Sequence, residues 1–200
     1  MAKPKRVRRE PEQAKSLILD ATERLMLEEG YAAVTTRAVA KLAGLAPGLV
    51  HYYFPSTDDL LVAAYRRATD VNLERLTRAL ACEDPMRELW RLQTETTSMA
   101  IVVEFMALAN HRKAIRAEMA RYADEARDRQ TAAVARVMPN YPINGAVCPA
   151  VCVTTMLASV ARGLVMEATV GISRGHQETR EFVEWILARG MNPAASPTPG

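Results

Sequence analysis

The residues best equipped for chemistry are a cluster of cations at the start of the chain and a short run rich in aromatic and small residues a quarter of the way along it. Lys3, Lys5, Arg6, Arg8 and Arg9 fall within nine positions. A basic arm ahead of a folded domain suits phosphate or minor-groove contact, and the same composition also describes a solvated terminus. Residues 1–67 carry 11 Lys/Arg against 8 Asp/Glu while residues 68–200 carry 15 of each, so the net charge of +3 sits in the first third. Further on, Val39, Ala40 and Ala43 of one short segment and Leu45, Val50 and Phe54 of the next can close a small core. Arg37, Ala46, Pro47, Gly48, Leu49, His51, Tyr52 and Tyr53 are left outside, a surface small enough for a major groove. Tyr52 and Tyr53 can equally pack at a helix end, and His51 can be simply exposed.

Such a surface needs helices to hold it, and the chain reads as helical from end to end. Ala14, Leu17, Ile18, Ala21 and Leu25 recur at helical spacing, which predicts a first helix from Pro11 to Glu29 closed by Gly30. A threonine cap at Thr35 or Thr36 opens a second helix to Ala43, ended by Gly44. Pro47 starts a third that reaches Phe54. Ser56 followed by Asp59 has capping-box spacing and opens a long fourth helix to about Leu80. Asp84 and Pro85 open a fifth, expected to reach Asn110. Shorter helical pieces are expected between Arg112 and Met138, a loop at Pro139 to Pro142, a long helix from Ala146 or Pro149 to Val170, and a last one from Gln177 to Arg189 capped by Gly190. Two short helices joined by Gly44-Leu45-Ala46 and braced by a longer one are the architecture of a helix-turn-helix.

The run TTRAVAKLAGLAPGLVHYYFPSTDDLL, from Thr35 to Leu61, resembles the DNA-binding signature of TetR-type transcription regulators. The likeness is specific over residues 14–65; beyond them it lies in chain length and helix order. It implies an all-α fold with a helix-turn-helix domain at 11–55 behind a flexible arm at 1–10. A helical effector-binding and dimerisation body would span 56–190, ahead of a disordered tail at 191–200. It also implies a cytoplasmic homodimer that represses from palindromic double-stranded DNA and is released by a small apolar effector. By the same resemblance Thr36 would bond a phosphate and Arg37 would read a base or hold a phosphate. Pro47, Gly48 and Leu49 would form the tip of the recognition helix, and His51, Tyr52 and Tyr53 its aromatic end. Lys5, Arg6 and Arg8 of the arm would add phosphate contacts. Thr57 stands where the family commonly has a phosphate-anchoring lysine, and Leu49 where Thr or Ser is frequent, so affinity would lean on the arm and base reading on apolar contacts to thymine.

In the body, Trp90, Thr94, Thr97, Ile101, Phe105 and Leu108 follow one another at three- or four-residue steps, mixing apolar and hydroxyl groups as an effector site would. Met119, Tyr122 and Met156 could complete it; ordinary helix packing explains the same stripe. The small-residue helix CVTTMLASVARGLVMEATVG and the last helix, with Phe182, Val183, Trp185 and Ile186, could form a seam with a second copy, or a core within one chain.

Other chemistry finds little support. The chain has no Gly-rich phosphate loop, nucleophile elbow or zinc-protease helix, and His51, His111 and His176 are scattered. No cofactor or metal is expected. Cys148 and Cys152 share a spacing of four that would allow a thiol sensor, against the commoner reading of ordinary buried thiols. The charge-free stretch Val137 to Ala161 is broken by prolines, which predicts too short a run to span a bilayer. Glu10 and Glu12 follow the basic start where a secretory signal needs apolar residues. A nonspecific architectural DNA binder would explain the arm but not a recognition helix; a helical enzyme or carrier would need a catalytic pair that the sequence does not offer.

Overall fold

The computed structural model describes residues 11–141 and 145–191, and the side chains of these except at 96–100 and 190–191. Every regular element among the described residues is helical: α1 Pro11–Glu29, α2 Thr36–Ala43, α3 Pro47–Tyr53, α4 Thr57–Leu80, α5 Pro85–Gln93, α6 Thr96–Ala109, α7 Lys113–Val137, α8 Ala150–Thr169 and α9 His176–Met191, with single 3-10 turns at Tyr31–Ala33 and Met138–Asn140. The chain forms two compact units, Met1–Ala68 with Glu104–Glu118 and Thr69–Val103 with Met119–Gly200.

Local chemistry sets the helix ends of the first unit. Thr35 is extended and its hydroxyl accepts from the Ala38 N–H at 3.2 Å, capping α2. Gly44 closes α2 at φ 64°, a left-handed conformation that costs glycine nothing. The Leu45 N–H then reaches back to the Ala40 carbonyl at 2.9 Å and the Gly44 N–H to that of Lys41 at 3.3 Å, the paired bonds of a Schellman ending. Those bonds turn the chain sharply enough for α3 to start three residues later. Ser56 and Asp59 cap each other reciprocally at the start of α4, with Asp59 N–H to Ser56 Oγ at 3.1 Å and Ser56 N–H to Asp59 Oδ2 at 3.0 Å.

Packing then fixes the orientation of these helices. α1 packs on α2 and α2 on α3, and Ala14, Ile18, Ala21, Leu25, Met26, Val39, Ala40 and Val50 are all buried. Complete burial of an aliphatic side chain such as Ile18 or Val39 contributes about 1.5–3 kcal/mol. Ala43, Leu45 and Phe54, expected in the same core, are only half-buried at its edge. Arg67 of α4 reaches Asp20 at 2.7 Å and Glu23 at 2.9 Å, tying α4 to α1. Arg112 pairs with Asp58, and Arg66 with the buried Glu118 at 2.8 Å. The Tyr65 and Phe105 rings meet edge to face with centroids 4.9 Å apart. These long-range pairs draw the end of α6 and the start of α7 into the unit that carries α2 and α3.

The second unit is centred on an apolar cluster that includes Leu76, Met86, Leu89, Trp90, Val134, Met138, Leu164 and Leu187. Asp84 caps α5 by accepting from the Arg87 N–H at 3.1 Å, with Pro85 in the first turn. The helix opened by Pro85 does not run on to Asn110 as the sequence predicts but stops at Gln93, with α6 beginning at Thr96. The Thr94 hydroxyl turns back onto the Trp90 carbonyl at 2.9 Å, and Glu95 pairs with Arg75. Hydroxyl side chains that compete for helix carbonyls favour such a break. Conversely, 113–137 is one unbroken helix rather than shorter pieces. It contains neither Gly nor Pro, and Glu125 links Arg121 at 3.4 Å and Arg129 at 2.7 Å across successive turns. α9 continues through Gly190 to Met191 instead of ending at the glycine. α8 is long and apolar enough, by length and composition, to cross a membrane, where the sequence predicts a shorter apolar run. In this fold Val153, Thr154, Ala158, Ala161, Leu164 and Val165 of α8 are buried. The tail at 192–200 lies outside the described residues.

Candidate nucleic-acid interface

The α2–turn–α3 segment presents a face with one sign of charge. No Asp or Glu occurs from Gly30 to Thr57, whereas Arg37, Lys41 and His51 fall within that stretch and are exposed. Arg37 and Lys41 are four residues apart, hence on one side of α2. Thr36 and Arg37 occupy the first turn of α2, where backbone N–H groups point out of the helix end and add a partial positive charge. Pro47 and Gly48 are exposed at the start of α3, and a Cβ built on Gly48 would meet nothing within 4 Å. The tip is therefore open to close approach by another molecule.

The aromatic end of α3 divides by burial. Tyr52 is 76% exposed, while Tyr53 is half-buried, with its ring edge-on to Tyr52 at 5.1 Å and the Lys15 ammonium 5.9 Å from its centroid. Leu49 is also half-buried, so its side chain is only partly available on the outer surface. Thr57, half-buried, opens α4 directly after the Ser56 cap. The structure thus brings Arg37, Pro47, Gly48, His51 and Tyr52 onto an accessible two-helix segment and leaves Thr36, Leu49, Tyr53 and Thr57 half-buried at its edge. Lys41 and Lys15 add to the set that the sequence indicates. The i to i+4 step from Arg37 is the available signal for Lys41; Lys15 near Tyr53 requires the packing of α1. Lys5, Arg6 and Arg8 lie outside the described residues.

The residues expected around an effector are dispersed. Trp90 is buried in the second unit's cluster, against which Tyr122 also packs. The Asn72 amide donates to the Tyr122 hydroxyl at 2.7 Å, and burial raises the Tyr122 pKa above its ordinary range. Ile101 and Met119 are half-buried, and the Thr94 hydroxyl is bonded to its own helix. Phe105 is fully buried in the first unit, against Tyr65. Met156 is 59% exposed, its sulfur 3.9 Å from that of Cys152. The side chain of Thr97 lies outside the described residues. The break after Gln93 and the division at Val103 mean that the stripe from Trp90 to Phe105 does not line one continuous helix face within one unit. Among the described residues no group of His, Cys, Asp and Glu could hold a metal ion.

Known proteins share this geometry. Residues 18–64, from the buried Ile18 through α3 into α4, match the family of bacterial regulatory proteins described as tetR. The transcriptional regulator BetI of Rhizobium meliloti is 42% identical over 57 residues, 28% of each chain. The transcriptional repressor KstR of Rhodococcus jostii is 52% identical over 50 residues, 25% of this chain and 24% of that protein. The likeness to both covers less than a third of their lengths. A solved TetR transcription regulator from Haloarcula marismortui shares the fold with a TM-score of 0.71 over 88% of this chain and 98% of that one, at 21% identity. The helix-turn-helix segment, residues 18–64, thus carries the sequence of the tetR family of bacterial regulatory proteins, and the chain as a whole shares the fold of a solved TetR regulator.

Proposed function

We propose that this chain is a cytoplasmic, dimeric transcriptional repressor that binds a palindromic operator and is released from it by a small molecule sensed in the second unit. The observation that carries the reading is the carboxylate-free face of α2 and α3, with Arg37, Lys41, Gly48, His51 and Tyr52 exposed on it. Thr36 and Lys41 hold phosphates, Arg37 and the Pro47-Gly48-Leu49 tip read base edges, and His51 and Tyr52 contact the flanking backbone. Tyr53 and Thr57 mainly brace the recognition helix. The repressor role is supported by the name of the Rhodococcus relative. Selection of binding sequences from a random DNA pool, at physiological salt with competitor, is the direct test. Recovery of a two-fold symmetric motif is expected; recovery of no motif would overturn the reading.

Deleting residues 1–9 removes Lys3, Lys5, Arg6, Arg8 and Arg9. For every phosphate that the arm ceases to neutralise, the slope of log affinity against log salt falls by about 0.9. A shallower slope in a salt titration is expected, and an unchanged slope would leave the arm without a role. The dimer is assigned to α8 and α9, which expose Val151, Met156, Val160, Met166, Phe182 and Trp185. The Phe182 and Trp185 rings stack at 5.9 Å, and the Arg189 guanidinium lies 3.8 Å from the Trp185 ring centroid. Aromatic and Arg anchors of this kind concentrate interface energy. Trp185→Glu should therefore shift the mass seen by light scattering from dimer to monomer while the helical signal is kept.

A further inference from the structure

The second unit contains an arginine with one buried nitrogen that no group among the described residues satisfies. Arg127 of α7 is half-buried, and its Nη1 is buried with no hydrogen-bond partner among the described residues. Burial lowers its pKa from the ordinary arginine value, and the nearby charge of Arg162 on α8 pushes the same way. Among the described residues no carboxylate offsets this effect. Asp124 and Asp128 of α7 are exposed, and Glu125 is engaged with Arg121 and Arg129. A buried guanidinium nitrogen beside a second, half-buried cation is costly, because it has given up water without gaining a partner among the described residues.

The surroundings are polar and built from both helices. Gln130 and Thr131 lie one turn after Arg127, and the Thr131 hydroxyl meets that of the buried Thr154 at 3.3 Å, which sets α7 beside α8. On α8, Thr154, Ala158 and Arg162 fall at four-residue steps, hence on one face. Ala158, one turn before Arg162, and Ala161, its neighbour in the chain, are buried and carry small side chains. Leu157, one position before Ala158, packs against the apolar cluster that holds Trp90. A cationic pair bordered by an apolar cluster is complementary to one ligand class.

We propose that the effector of the second unit carries a carboxylate, held between Arg127 and Arg162, on an otherwise apolar body that lies toward the Trp90 cluster. The proposal rests on the reading of this unit as effector-sensing and names the chemistry of what it senses. A guanidinium fork matches a carboxylate in two parallel hydrogen bonds, which a lysine at either position could not reproduce.

The test uses the full chain without DNA and three probes with the same ten-carbon tail: decanoate, 1-decanol and decyltrimethylammonium. By titration calorimetry, decanoate should bind at least about tenfold tighter than 1-decanol, the scale of one charge-assisted bond. Arg127→Gln and Arg162→Gln should each remove that preference and leave 1-decanol unchanged, while Arg127→Lys should keep part of it. Without any ligand, Arg127→Met should raise the thermal midpoint, since it deletes an unpaired cation. Equal binding of decanoate and 1-decanol, tighter binding of the ammonium probe, absence of any decanoate binding, or a lowered midpoint in Arg127→Met would each overturn the proposal. Conversion of the dimer to a monomer by Arg162→Gln would assign that residue to a subunit interface and overturn it too. The regulatory reading fails separately: Arg-dependent decanoate binding by a protein that selects no DNA motif would keep the anion site and discard the repressor. A selected motif with no decanoate binding would do the reverse.

Discussion

Phe105→Ala is expected to destabilise the protein by about 3–5 kcal/mol, the cost of emptying a fully buried aromatic position. Phe105 is 0% exposed, and its edge-to-face contact with Tyr65 accounts for roughly 0.5–1.5 kcal/mol of that cost. Native domains have only about 5–15 kcal/mol in hand, so the loss is a large fraction of the total. Because Glu104–Glu118 belongs to the same compact unit as α2 and α3, operator binding should weaken without any change at the DNA surface. Chemical denaturation followed by circular dichroism checks this, with Phe105→Leu as the milder control. A stable Phe105→Ala protein altered only in its effector response would return Phe105 to the ligand site that its place in the α6 stripe indicates.

Arg37→Ala should do the opposite, leaving stability unchanged and damaging recognition. Arg37 is exposed and forms no ion pair among the described residues, so its removal costs the fold almost nothing. If it reads a guanine edge, affinity for the selected motif falls by roughly fivefold to 150-fold, corresponding to about 1–3 kcal/mol. The preference over a scrambled site narrows by the same factor. Lys41→Ala supplies the contrast: a phosphate left without its cation weakens binding to all sequences alike and flattens the salt slope. Fluorescence anisotropy on motif and scrambled duplexes separates the two. Equal losses on both duplexes for Arg37→Ala would make Arg37 a phosphate ligand, and no loss at all would remove it from the interface.

The interactions of this protein divide by their reach along the chain. Thr35 capping α2, the Ser56–Asp59 box, Asp84 and Pro85 opening α5 and Gly44 ending α2 are all contacts within four residues. Residue types alone therefore determine them, and the helix-turn-helix with its exposed Arg37, Gly48 and His51 is legible in the sequence itself. Only tertiary structure decided the rest. Arg112 pairing with Asp58, Arg66 with Glu118 and Tyr65 with Phe105 join positions 40 or more residues apart, and they assign the end of α6 to the DNA-reading unit. The break at Thr94 depends on the competition between a hydroxyl and a helix that the periodicity of Trp90, Thr94 and Ile101 equally allows. Arg127 and Arg162 stand 35 positions apart, on helices whose amphipathic patterns say what is buried but not what lies opposite. Local hydrogen bonds are specified by neighbours along the chain; the pairing of one helix face with another is selected by the packing of the whole unit.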